Sequence, residues 1–100
     1  MNDLEMTKLC AEAIGLPEQG VMGGSMMFVK DNTFVLYDPL HDDAQAMALV
    51  KKLRMDIGAD HIGDNLFWRA YARKDGIEYH AADADLNRAI VECVEKMGVK

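Results

Sequence analysis

The sequence predicts an α+β domain, built as one antiparallel sheet of four to five strands with helices on both faces, an α/β/α sandwich in the order α-β-β-α-(β)-β-β-α. Three observations carry this. Three segments place apolar residues at helical spacing between capping and stop signals. Two pairs of apolar segments flank Asp31-Asn32 and Asp75-Gly76, dipeptides suited to tight hairpin turns. The first of these hairpins is apolar on both faces, and such a hairpin calls for cover above and below.

Asn2 or Asp3 caps the first helix, with Glu5 three residues after Asn2 as in a capping box. Met6, Leu9, Cys10, Ala13 and Ile14 share its apolar face, and Gly15-Leu16-Pro17 is a stop signal. Residues 18–24 contain Gly20, Gly23 and Gly24 and read as a flexible loop. A phosphate cradle is the weaker reading there, because the Lys-Ser/Thr of a P-loop and the dinucleotide fingerprint are both missing. Met26–Val29 and Phe34–Tyr37 form a hairpin with Val29 facing Phe34 and Met27 facing Leu36. Asp38-Pro39-Leu40 ends it, and a second helix runs from Asp42 to Arg54. His41 or Asp42 caps that helix, Lys51, Lys52 and Arg54 complement its C-terminal dipole, and Ala46, Met47, Val50 and Leu53 form its buried stripe. Met55–Ile57 reads as a short strand and Gly58–Asn65 as a polar loop.

From Leu66 to Arg73 the chain alternates, with Leu66, Trp68, Ala70 and Ala72 on one side and Phe67, Arg69, Tyr71 and Arg73 on the other. With Asp75-Gly76 as the turn, Ala72 faces Tyr79, Ala70 faces Ala81 and Arg73 faces Glu78, so apolar meets apolar. Asp83 caps the last helix, whose stripe is Leu86, Ala89, Ile90, Cys93, Val94 and Met97, and Gly98 ends it. One domain spanning 1–100 accounts for the chain, with no repeat, linker or low-complexity stretch.

The net charge of −6 sets duplex nucleic acid and anionic membranes apart as partners and favours a basic protein surface. No apolar run approaches the roughly 18 residues a membrane helix needs, and no basic, apolar leader opens the chain. A cytoplasmic protein with reduced, buried Cys10 and Cys93 is the expectation; a disulfide would require the first and last helices to be neighbours. The eight methionines read first as core filler, since Met fits irregular gaps.

His41-Asp42-Asp43 offers metal ligands, Asp60-His61 with Asp64 a weak hard-cation site, and Asp83-Ala84-Asp85 resembles the Asp-x-Asp pair with which some transferases hold a metal–nucleotide. Helix capping explains the first and third without metal, and the second lacks diagnostic spacing. No metal, no cofactor and no catalytic residue is assigned; an enzyme would rest on unpaired His and Asp alone. The candidate binding residues are Phe67, Arg69, Tyr71, Arg73 and His80, which share one face of the last hairpin with Glu78. Arginine interleaved with aromatic rings can anchor a protein interface, clamp phosphate or stack a base. The competing reading is a solvated sheet face with one Arg73–Glu78 pair. The 58–65 loop is a second candidate site, as loops often carry function.

Asn2–Met6 through Ala11–Gly15, the stretch Tyr37-Asp38-Pro39-Leu40-His41-Asp42-Asp43-Ala44, the helix from Ala46 to Leu53 and the ending Asn87–Val91 resemble the phage ABA-sandwich domain family of small phage and prophage proteins. The resemblance covers nearly the whole chain through short structural motifs. Ala84 stands where many relatives carry a proline after the capping Asp. It implies an α/β/α layered domain and no catalytic role for any residue. The resulting expectation is a non-enzymatic phage or prophage accessory protein that binds a host, defence or phage protein. The alternatives are a nucleotide-like small-molecule binder and a minor phage assembly component. A free hairpin edge offers a route to a homodimer.

Overall fold

Four two-residue turns organise the chain. In a computed structural model that describes residues 2–15 and 19–98, Gly23-Gly24, Asp31-Asn32 and Asp75-Gly76 all take positive φ, the conformation that joins twisted antiparallel strands directly. Gly63-Asp64 is the fourth turn, with Gly63 at φ 61°. The elements are α1 (Asp3–Ala13), β1 (Gln19–Met22), β2 (Ser25–Lys30), β3 (Thr33–Leu36), α2 (Asp43–Leu53), β4 (Asp56–Ile62), β5 (Asn65–Lys74), β6 (Ile77–Asp83) and α3 (Leu86–Gly98). The chain is thus α+β, but the single four- to five-stranded sheet is replaced by two three-stranded antiparallel meanders, β1-β2-β3 and β4-β5-β6.

The difference has a local cause. Gly23-Gly24 turns the expected 18–24 loop back as strand β1, pairing Val21 with Met26. Gly63-Asp64 likewise turns the expected 58–65 loop into the end of β4 and the start of β5, pairing Ile62 with Asn65 and Ile57 with Ala70. Each hairpin therefore gains its third strand from its own sequence neighbour. Both inner registers match expectation: Val29 faces Phe34 and Met27 faces Leu36, while Ala72 faces Tyr79, Ala70 faces Ala81 and Arg73 faces Glu78. Leu16, Pro17 and Glu18, which the stop signal and the 18–24 loop include, lie outside the described residues.

The layering is also inverted. α3 lies on β5 and β6, α1 and α2 pack on α3, and α1 carries β2. Ala70, Ala72 and Ala81 are buried, and their small side chains let α3 approach the sheet closely. α3 is buried well beyond the expected stripe: Val91 and Asn87 join Ala89, Ile90, Cys93 and Val94. Helices form the interior, and each sheet keeps one face in solvent. In the first sheet Met26 and Tyr37 are buried with Phe28 packed edge-on to Tyr37, whereas Phe34 on the other face is 65% exposed and Leu36 is also open. The expected cover on both faces of this hairpin is therefore corrected to cover on one.

The caps follow from side-chain chemistry. Asn2 accepts from Glu5 N–H at 2.9 Å and Asp42 accepts from Gln45 N–H at 3.0 Å. Arg54 closes α2 in the left-handed conformation, and both its own N–H and that of Met55 donate to Val50 O. Gln45 clamps the β3–α2 turn: its side-chain oxygen accepts from Asp38 N–H and its amide donates to Leu36 O at 2.8 Å. β6 runs on to Asp83, so the α3 cap moves from Asp83 to Asp85, whose carboxylate accepts from Arg88 N–H at 3.0 Å. In α2 the most deeply buried residues are Ala46 and Leu49, while Met47, Val50 and Leu53 are half-buried. Asn87 donates to Asp43 at 2.8 Å and ties α3 to the first turn of α2. Cys10 and Cys93 are buried free thiols, although their helices are neighbours. Among the described residues no helix is long and apolar enough to cross a membrane.

Candidate functional site

β5 presents Phe67, Arg69, Tyr71 and Arg73 to solvent because the alternate residues Ala70 and Ala72 are drawn under α3. Register sets what stands beside each. Tyr71 opposes His80 across β6, and their rings lie 4.9 Å apart at 57°. Arg73 opposes Glu78 and donates to it at 2.6 Å. Arg69 donates to Asp60 of β4 at 2.5 Å, with its guanidinium 6.0 Å from the Phe67 ring centre. The five expected residues therefore form one row on a three-stranded sheet, with Arg69, Arg73 and His80 exposed and Phe67 and Tyr71 half-buried.

Both ion pairs are solvent-exposed. The hydrogen bond to Glu78, and then that to Tyr71, pushes the Arg73 guanidinium further up, while the hydrogen bond from Arg73, and then Tyr71, holds the Glu78 carboxyl below the ordinary carboxylate range. Solvent screens exposed pairs of this kind, so they orient the row more than they hold the fold.

Two further contributors come from the 58–65 segment, the second candidate, which is strand and turn here rather than loop. Asp60 was read as part of a loop and is the partner of Arg69. Gly58 opposes Arg69 and leaves a groove of about 250 Å³ beside Asp56, Asp60, Arg69 and Tyr71. The signal for both was Gly63-Asp64, a hairpin dipeptide that extends the alternation of Ile57, Ala59 and His61 up to the turn.

The acidic motifs have structural occupations. His41 Nδ1 lies 2.8 Å from Asp38, Asp42 caps α2, and Asp83 accepts from Asp85 N–H at 2.9 Å. Asp60 serves Arg69 and the His61 N–H. Among the described residues no group of three His, Cys, Asp or Glu converges on a metal position. Both thiols are poor nucleophiles: burial pushes Cys10 up to about 12, helped by Glu95, and Cys93 up to about 11. The chain matches no family model, and comparisons with curated proteins and with solved structures find no match.

Proposed function

We propose that this chain is a non-enzymatic binding module that engages a protein partner through the outer face of the β4-β5-β6 sheet. The observation that carries the reading is the continuous row of Phe67, Arg69, Tyr71, Arg73 and His80 on an antiparallel strand pair. Arginine and tyrosine are the side chains that most often dominate interface energetics, and here neighbouring carboxylates pre-orient both arginines. The net charge of −6 favours a partner whose surrounding surface is basic. The phage-like motifs of the first helix and of the Tyr37–Ala44 turn favour a phage or prophage accessory role in the cytoplasm of a bacterial host, acting on a host or defence protein. The groove beside Arg69 is about 250 Å³, below the roughly 300–1,000 Å³ of small-molecule sites, whereas a second cavity of about 400 Å³ beside Arg73 and Lys74 has room for the nucleotide-like alternative.

The test is capture from a host lysate with the wild-type chain and with Arg69→Ala/Arg73→Ala and Tyr71→Ala/His80→Ala variants of unchanged circular dichroism. The reading expects one protein retained stoichiometrically by wild type and lost by both variants. Equal retention by folded variants refutes the site.

A further inference from the structure

The two edges of the β4-β5-β6 sheet are treated differently. On β6, the Lys96 ammonium reaches over from α3 and donates to the outward carbonyl of His80 at 2.5 Å, a charged guard on an edge strand. β4 is seven residues long, is paired by the ladder to β5 alone, and has no comparable guard from another element among the described hydrogen bonds. Because Ile62 and Asn65 close a two-residue turn, they form a doubly hydrogen-bonded pair, and bonding alternates from there. Asp60, Gly58 and Asp56 bond inward to β5, and the amides of Ile57, Ala59 and His61 point out from the edge. The His61 N–H is held by its neighbour's carboxylate, Asp60 Oδ1, at 2.8 Å, consistent with that outward direction.

We propose that β4 pairs antiparallel with β4 of a second copy about a two-fold axis at Ala59, giving a continuous six-stranded sheet. This register pairs Ala59 with Ala59 of the partner subunit and Ile57 with the partner's His61, so each outward amide meets an outward carbonyl. No two like charges stand directly opposite: Asp56 meets the partner's Ile62, and Gly58 meets the partner's Asp60. Charge complementarity selects this occupant. Arg69 stands beside Gly58 on the next strand, where no side chain intervenes, and so faces the partner's Asp60 across that gap. When the His61 N–H passes from Asp60 to a partner carbonyl, the freed Asp60 oxygen accepts the partner's Arg69. Two arginines and two aspartates then form one closed cluster. The apolar end of the hairpin, where Leu66 is 76% and Ile62 72% exposed, is brought beside the base of the partner's β4. The dimer also places two Arg–aromatic rows on one sheet face, independently of what binds them.

The experiment is sedimentation equilibrium of the full chain with two site variants. Wild type at roughly 100 µM sediments at twice the 11.1 kDa chain mass. Ala59→Cys oxidises to a covalent dimer, since directly opposed hydrogen-bonded residues have Cα atoms roughly 5.5 Å apart, within disulfide range. Ala82→Cys, exposed on β6, does not. Ala59→Pro removes only an outward amide, which an edge strand tolerates, and yields a folded monomer. A monomeric wild type, equal cross-linking of both cysteine variants, or a dimeric Ala59→Pro would each overturn the proposal. Ala59 lies on the sheet face opposite the Arg–aromatic row, so loss of the dimer in Ala59→Pro is distinguishable from loss of partner capture.

Discussion

Replacing Tyr37 by Phe should make the protein more stable. Tyr37 is 3% exposed, and its hydroxyl has no hydrogen-bond partner among the described residues. Burial, with the Cys10 thiol beside it, pushes the phenol well above its ordinary range, so the hydroxyl stays neutral and unserved. An unsatisfied buried polar group costs about 1–3 kcal/mol, whereas the edge-on packing of the ring against Phe28 survives the substitution. Allowing a fraction of that for the small void left behind, Tyr37→Phe should stabilise by about 1 kcal/mol. For a domain of this size that raises Tm by roughly 4–8 °C. Urea denaturation followed by circular dichroism should show a higher midpoint with an unchanged slope. A loss of about 1 kcal/mol would mean that the hydroxyl is hydrogen-bonded, and would refute the reasoning.

Two further outcomes follow from the helical interior. Ala70→Leu, at a fully buried position under α3, should cost about 1–3 kcal/mol by overpacking, read as a lower urea midpoint, whereas Phe34→Ser on the open sheet face should change stability by under about 0.5 kcal/mol. The buried thiols impose an alkaline limit. Cys10 is raised from 9.0 to about 12 and Cys93 from 9.0 to about 11, so the native state holds their protons more tightly than the unfolded chain. Their contribution is complete below pH 9.0 and is lost as pH climbs toward 11–12. The urea midpoint should fall across that window, and Cys10→Ala/Cys93→Ala should flatten the fall.

What the sequence disclosed was whatever depends on near neighbours. Asp31-Asn32 and Asp75-Gly76 fix their hairpins through φ alone, so both registers could be read residue by residue. The same chemistry at Gly23-Gly24 and Gly63-Asp64 was legible in principle, but glycine also marks flexible loops, and that reading hid β1 and most of β4. The layering was not legible. A two-faced apolar hairpin implies cover on both sides only if the protein supplies it, and Phe34 and Leu36 remain open. Val91 and Asn87 lie off the apolar stripe of α3 and become buried only because α1 and α2 pack on the far side of that helix. The site divided the same way. Strand alternation put Phe67, Arg69, Tyr71 and Arg73 on one face, and the Asp75-Gly76 turn brought His80 to Tyr71. Asp60 depended on a strand that had been read as a loop.

The central claim is that the Arg–aromatic face binds a protein. The most direct measurement is quantitative capture by wild type, by the Ala59→Pro variant and by Arg69→Ala/Arg73→Ala, each first shown to be folded. The account predicts one stoichiometric partner that wild type and Ala59→Pro retain, that the double arginine variant loses, and that salt releases because charge contributes to the contact. Retention of that partner by the folded double arginine variant would contradict it.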